Sequence, residues 1–234
     1  MVTALLAGCT GQEIWPETPE DLAAKGVIDP WSDATPPYRI GEGDKIRVQF
    51  PLTPEMNEDV TVRPDGKITL VSAGEVELSS LTTAAASQAV AGAALRRLKN
   101  PKVEIAVIDP ASARIFIGGE VRAPGLYPVV GPVTLTGAMS LAGGALDTAR
   151  LGEVIVLRRS PGGRPMMRLY NVRANLEGMD TQNMRLYQGD IVFVPKSHIA
   201  EMNLWIDQFI NKMLPFNRNF DYTRGDTTTT SSLH

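Results

Sequence analysis

The stretch Tyr38-Arg-Ile-Gly-Glu-Gly-Asp44, followed by Lys45-Ile-Arg-Val-Gln-Phe50, decides the fold of the first part of the chain. Gly43 and Asp44 predict a tight turn, because glycine tolerates positive φ and an aspartate side chain accepts backbone N–H bonds. After the turn, apolar and polar residues alternate, which predicts a half-buried strand. The same order recurs where Gly189-Asp190 precedes Ile-Val-Phe-Val. The sequence therefore predicts two structural turns, each leading into a strand.

Outward from the first turn, the pattern is strand, hairpin, helix and strand. Asp65-Gly66 follows a proline and predicts the turn of a hairpin. The alanine-rich run at 81–99 predicts a helix, with Ser79 or Ser80 as its N-cap and Asn100-Pro101 as its end. A further alternating run then predicts the last strand of this unit.

A second unit of the same kind follows. A strand is expected at 114–117, and a helix is expected from Thr134 to the glycine pair at 143–144. Gly162-Gly163 predicts a hairpin turn between two further strands. The run after Gly189-Asp190 closes the unit. Together the two patterns predict an α+β fold made of two small units.

Composition and charge exclude several classes of function. The net charge is −3 and no basic stripe is present, so no nucleic-acid partner is expected. The basic runs at 96–99 and at Arg158-Arg159 are interpreted as solvated ends of a helix and a strand. One cysteine and two histidines cannot supply the usual zinc ligands, so neither a metal site nor a cofactor is expected.

Motifs of catalytic sites are also missing from the sequence. It contains no G-x-S-x-G, Walker A or G-x-G-x-x-G pattern. A hydrolase or lyase acting on a glycan would need two carboxylates in a cleft, and no acidic pair stands out. Asp44 and Asp190 are better explained as aspartates that accept backbone N–H bonds in tight turns. We therefore expect a protein that is not an enzyme and has no catalytic residue.

The N-terminus carries the pattern of an exported lipoprotein. Leu6-Ala7-Gly8-Cys9 resembles a lipobox, in which a signal peptidase cuts before a cysteine that then carries lipid. Residues 1–8 are interpreted as part of a lipoprotein signal; their apolar run is short and lacks a basic start, so the true start is expected upstream. Residues 9–37 are rich in proline and are expected to form an extended tether. The alternative is an apolar start with a chance cysteine.

Several motifs, in order, resemble those of one protein family. The stretch at 38–44, Arg63-Pro-Asp-Gly-Lys-Ile68 and Asn100-Pro-Lys-Val103 resemble the polysaccharide-export domain of outer-membrane capsule and exopolysaccharide exporters. Gly118-Gly-Glu-Val121 and Leu186-Tyr-Gln-Gly-Asp190 resemble the soluble-ligand-binding β-grasp module that follows that domain. The resemblance assigns an export domain to 38–110 and a β-grasp domain to 111–196.

The resemblance implies two β-grasp-like modules in a homo-oligomeric ring of about eight subunits, through which polysaccharide passes. It also implies an outer-membrane location, with a lipid anchor, a body in the periplasm and an inner-membrane polysaccharide copolymerase as partner. Larger exporters of the family carry two β-grasp modules, whereas this chain shows one. The height of the ring and the width of its lumen therefore stay open.

The segment at 197–215 predicts an amphipathic helix, and the polar residues at 216–234 predict a disordered tail. The helix is about 27 Å long, close to the hydrocarbon thickness of a membrane. With the family resemblance, we expect a ring of such helices to form a barrel in the outer-membrane lipid. The expected lipid-facing residues are Met202, Trp205, Ile206, Phe209 and Met213. The expected pore-lining residues are Glu201, Asp207, Gln208, Asn211 and Lys212.

Two alternatives for this helix stay open: it packs on its own domain, or it lies in the membrane interface. The alternative function is that of a lipid-tethered periplasmic adaptor, which binds glycan and docks onto a separate outer-membrane β-barrel. The helix at 197–215 separates the two functions, because only the conduit needs it to span the membrane.

We expect Cys9 to carry lipid when the gene is expressed with its full upstream region. The mature protein should begin at Cys9 with its thiol acylated, because cleavage before the cysteine exposes the acceptor. Mass spectrometry of the N-terminal peptide measures this modification, and Cys9→Ser is the control that should stay unprocessed. An unmodified cysteine or a retained leader would contradict the expectation.

Overall fold

The computed structural model describes residues 18–177 and 183–196, and within them the fold is α+β, as the sequence predicts. Two apolar cores are present, one in each module. The elements up to residue 110 are α1 (Pro19–Ala24), β1 (Lys45–Gln49), β2 (Glu58–Thr61), β3 (Lys67–Leu70), β4 (Gly74–Glu77), α2 (Thr83–Ala94) and β5 (Glu104–Asp109). The later elements are β6 (Arg114–Gly119), β7 (Gly125–Pro128), β8 (Val133–Thr134), α3 (Leu135–Leu141), β9 (Val154–Arg159), β10 (Pro165–Tyr170), α4 (Val172–Leu176), β11 (Arg185–Leu186) and β12 (Ile191–Val194).

In the first module, β1 lies between β2 and β5 and is antiparallel to both, while β3 and β4 form a separate hairpin. Ile46 and Val48, alternate residues of β1, are fully buried. Helix α2 adds Ala86, Val90 and Ala94 to the same core. These three residues are four positions apart, so they share one face of the helix.

The helix of the first module is shorter than the sequence predicts, and a different residue caps it. It ends at Ala94 rather than Lys99. The hydroxyl of Thr82 accepts the N-cap hydrogen bond at 3.3 Å. Ser80 has a positive φ of 65°, and its amide donates to the carbonyl of Ile40, so its backbone is committed to a different contact.

The second module is a five-stranded mixed sheet in the order β10-β9-β12-β6-β7. Strands β12 and β6 are parallel, and every other neighbouring pair in the sheet is antiparallel. Helix α3 contributes Leu135, Ala138 and Met139 to the core of this module. A parallel central pair with a helix packed against the sheet is the β-grasp-like arrangement that the family resemblance implies.

The segment at 19–37, which we call the strap, differs from the extended tether that its proline content predicts. Leu22 and Ile28 are 0% and 1% exposed, and helix α1 contacts β10. The amide of Asp29 donates to the carbonyl of Pro165 at 2.8 Å, which places the strap along the edge of β10. Two apolar anchors among prolines are too few to produce a periodic pattern, so the sequence conceals this packing.

Charged side chains also hold the strap on the second module. Asp29 accepts hydrogen bonds from the Ser160 hydroxyl at 2.6 Å and from the Arg164 guanidinium. These two partners, in that order, lower the pKa of the Asp29 carboxyl below its usual value. A lowered pKa means that the contribution of Asp29 to stability is present at neutral pH and is lost as the pH falls through the folded-state pKa.

Several sequence predictions fall outside the residues that the structure describes. They are the signal at 1–8, Cys9, the start of the tether, the amphipathic helix at 197–215 and the tail at 216–234. Over residues 18–177 and 183–196, no helix has the length and apolar character that a membrane span requires.

We expect Leu22→Ala to lower the free energy of unfolding by about 2–5 kcal/mol, because it removes a fully buried side chain and leaves a cavity. Glu20→Ala, an exposed position in the same helix, is the control and should change stability by less than about 0.5 kcal/mol. Urea denaturation of both variants measures the difference. Equal stabilities would show that the strap contributes nothing to the folded body.

Candidate functional site at the module seam

The carboxylate of Asp44 lies at the centre of the first predicted turn. Gly43 precedes it with a φ of 87°, a conformation that glycine adopts without strain. The Asp44 side chain has no exposed surface, and it accepts hydrogen bonds from the Gly41 amide at 2.9 Å and the Tyr38 hydroxyl at 2.5 Å. It also accepts the Ser112 amide at 2.7 Å, which joins the first module to the start of the second. Burial, followed by the bond to Asp44, raises the pKa of the Tyr38 hydroxyl.

The second predicted turn repeats this geometry. Gly189 has a φ of 82°, and Asp190 accepts the amide of Tyr187, three residues earlier, at 2.8 Å. The remaining partner is different: Arg158 donates Nε at 2.9 Å and Nη2 at 2.8 Å to the two carboxylate oxygens. Burial raises the pKa of Asp190, and the Arg158 guanidinium opposes that rise. The two turns share their backbone design and differ in the group that they recruit.

The third predicted turn, Asp65-Gly66, lies on the surface at the start of the β3–β4 hairpin. Gly66 has a φ of 76°, and its amide donates to the carbonyl of Arg63 at 2.9 Å. Asp65 pairs with the Arg63 guanidinium at 2.5 Å, and both side chains are more than a third exposed. This turn shapes the first module and lies apart from the bonds that join the two modules.

Arg158 corrects the interpretation of Arg158-Arg159 as a solvated strand end. The residue is 5% exposed, and its guanidinium lies 5.0 Å from the Trp31 ring and 4.7 Å from the Tyr187 ring. Its Nη2 also donates to the carbonyl of Arg185 at 3.1 Å. The guanidinium of Arg158, which belongs to β9, thus contacts both the strap and the loop before β12. Only long-range contacts reveal this role, since nothing in the local sequence distinguishes a buried from an exposed strand arginine.

Gln188 completes the seam between the modules, which we define as the meeting point of Tyr38-Arg39, Pro110–Ala113 and Tyr187-Gln188. Its Nε2 donates to the carbonyl of Arg39 at 3.0 Å and to the hydroxyl of Ser112 at 3.1 Å. Its Oε1 accepts the amide of Arg39 at 3.3 Å. The side-chain amide therefore pairs with Arg39 as a neighbouring strand would. Sequence reasoning missed this residue, because glutamine in a turn carries no structural signal.

A cavity of about 180 Å³ opens at the seam. Its walls are mainly proline, tyrosine and aliphatic side chains, and none of its eleven lining residues is acidic. The lining includes Pro36, Pro37, Pro110, Arg185, Tyr187 and Gln188. The loop of the second Gly-Asp turn therefore forms part of the cavity wall.

Each of the two modules matches a described family, and these two matches define the class of protein. The family model "Polysaccharide biosynthesis/export protein" matches residues 32–108. The model "SLBB domain" matches residues 113–194. The chain therefore contains a region similar to the polysaccharide biosynthesis/export family, followed by a region similar to the SLBB domain.

Individual relatives agree with this assignment. The chain is 30% identical over 183 residues to the EPS I polysaccharide export outer membrane protein EpsA of Ralstonia solanacearum, covering 68% of this chain and 48% of the relative. The protein of the same name from Ralstonia nicotianae is 27% identical over 182 residues, covering 68% and 47%. The exopolysaccharide production protein ExoF of Rhizobium meliloti is 30% identical over 165 residues, covering 64% and 34%. The chain thus spans about half or less of the length of these curated relatives.

Several other residues that the sequence singles out belong to segments that the structure does not describe. Cys9 and all of the expected pore-lining and lipid-facing residues lie outside residues 18–177 and 183–196. Within those ranges, no group of three or more His, Cys, Asp or Glu side chains is placed to hold a metal ion.

We expect Asp190→Asn to destabilise the protein more than Asp44→Asn. The first change leaves the buried guanidinium of Arg158 without its counter-charge, which costs about 3–5 kcal/mol. The second loses a carboxylate that accepts only neutral donors, at about 1–3 kcal/mol. Thermal and urea unfolding of the two variants measure the order. The reverse order, or equal losses, would show that the ion pair is not the stronger of the two contacts.

Proposed function

We propose that this chain is a subunit of an outer-membrane exporter of polysaccharide, either capsule or exopolysaccharide. The observation that carries the proposal is the order and joining of the two modules: an export domain and an SLBB domain, matched in sequence and linked by Asp44 and Gln188. Relatives named as polysaccharide export outer membrane proteins support the same role.

The proposed role in export requires no chemistry from this chain. Asp44 and Asp190, the two aspartates without exposed surface in the described part of the chain, both use their oxygens for hydrogen bonds within the fold. A general acid or nucleophile needs access to its substrate, and these carboxylates have none. Their function is to hold the turns on which the modules meet.

The conduit itself is proposed to be a homo-oligomeric ring of about eight subunits. Its helices at 197–215 would cross the outer-membrane lipid with their apolar faces outward and Glu201, Asp207, Gln208, Asn211 and Lys212 facing a wet lumen. The chain would be anchored by lipid at Cys9, with its body in the periplasm. An inner-membrane polysaccharide copolymerase would deliver the polymer to this ring.

Phe209→Asp is expected to abolish export if the helix forms part of a barrel. The change places a charge in hydrocarbon at about 2–4 kcal/mol per subunit, and a ring repeats that cost in each copy. Asn211→Asp is the matched control, because it adds the same charge on the predicted lumen side and should leave export intact. Surface polysaccharide of cells that lack the wild-type gene and carry each variant is the measurement.

The two variants also distinguish the conduit from the tethered adaptor. Equal export by Phe209→Asp and Asn211→Asp, or normal export after deletion of 197–234, would favour an adaptor that docks onto a separate β-barrel. Normal surface polysaccharide in cells that lack the whole gene would overturn the export role itself. Immunoblots of the membrane fraction confirm that each variant is produced.

A further inference from the structure

The cavity at the module seam has flat apolar walls. Pro36, Pro37 and Pro110 contribute rigid rings, and Tyr187 contributes an aromatic one. Such surfaces pack against the C–H face of a sugar ring with little loss of side-chain entropy, since proline and tyrosine have few rotatable bonds. A volume of about 180 Å³ suits one sugar residue rather than a whole oligosaccharide.

One cation stands at the wall of this cavity. Arg185 is exposed, and its guanidinium lies 5.8 Å from the centre of the Tyr187 ring. Among the described residues, no carboxylate forms an ion pair with it, in contrast to Arg158. Asp44, which accepts the hydroxyl bond of Tyr38 in the cavity wall, has no exposed surface. Arg185 therefore gives the cavity wall a positive charge that no carboxylate of the lining neutralises.

The backbone of Arg185 is fixed by the structure beneath it. Arg158 Nη2 donates to the Arg185 carbonyl at 3.1 Å, and β11 pairs Arg185 with Thr134. Gln188, another lining residue, is held by Arg39 and Ser112. A site whose walls are already ordered loses little conformational entropy when a ligand binds.

We propose that the seam cavity binds one carboxylate-bearing sugar residue of an acidic polysaccharide. The sugar ring packs on the proline and tyrosine walls, and Arg185 donates paired hydrogen bonds to the carboxylate, the geometry that a guanidinium fits best. This proposal rests on the export function and names the chemical class of its polymer. It assigns specificity to the second module and to the strap, which supplies two of the walls.

Binding of matched trisaccharides to the full-length protein in detergent tests the proposal. The probes are trigalacturonate and the same trisaccharide with its carboxyl groups reduced to alcohols. Isothermal titration and saturation-transfer NMR measure the affinity and the sugar protons in contact. The wild-type protein should bind trigalacturonate at least about tenfold more tightly than the reduced form, because only the acid gains the charge-assisted bonds.

Arg185→Met should weaken trigalacturonate binding by about tenfold and leave the reduced trisaccharide unaffected, since it keeps the side-chain stem and removes the charge. Arg185→Lys should give an intermediate affinity, because a single ammonium cannot form the paired bonds. Arg96→Met is the control: it removes the same charge from an exposed arginine that does not line the cavity. Thermal unfolding verifies that all three variants fold.

Three outcomes would overturn the proposal. Equal binding of the acidic and reduced trisaccharides would show that the site does not recognise the carboxylate. Equal losses of affinity in Arg185→Met and Arg96→Met would show that the trisaccharide does not bind at the seam cavity. Competition by inorganic phosphate at the concentration of the sugar would show an anion site without a sugar. In each case, loss of surface polysaccharide in cells that lack the gene would still support export, so the two proposals fail separately.

Discussion

A buried guanidinium destabilises a protein unless its charge and its donors are satisfied, and Arg158 imposes this requirement on the whole second module. Asp190 supplies the charge, the Arg185 carbonyl accepts a further bond, and the rings of Trp31 and Tyr187 both lie against the guanidinium. These partners come from the strap, from β11 and from the second Gly-Asp turn. The module therefore reaches a complete arrangement only when three distant segments of the chain are in place together.

The first module meets the second through the same kind of turn with a different partner. Asp44 accepts neutral donors, one of which is the Ser112 amide, and Gln188 adds bonds to Arg39. Losing one hydrogen bond from a neutral donor costs less than leaving a buried charge without its partner, but these bonds are directional. The seam is thus defined in geometry by several modest contacts, whereas the second module is stabilised by one strong cluster.

Local patterns predicted most of the fold, because the alternation of apolar and polar residues, the turn residues and the helix lengths can be recognised from residues that are neighbours in sequence. The turns at Gly43-Asp44 and Gly189-Asp190 were evident for that reason. The packed strap was not, since its anchors Leu22 and Ile28 show no period. The partners of Arg158 and Gln188 lie far away in sequence, and no local rule distinguishes a buried arginine or a bridging glutamine from solvated ones. The ordered motifs indicated the family, but a cavity formed by three segments could only be found in three dimensions.

The strap also affects the order in which the protein can fold. Asp29 accepts hydrogen bonds from Ser160 and Arg164, which are 131 and 135 residues away in sequence. These contacts are among the most non-local in the described part of the chain. Contacts of this kind close large loops, whose entropy must be lost before any bond forms. The strap is therefore among the last segments to dock. Until β9 and β10 have formed, the strap has no surface to pack on, so its apolar anchors Leu22 and Ile28 stay exposed to solvent during folding.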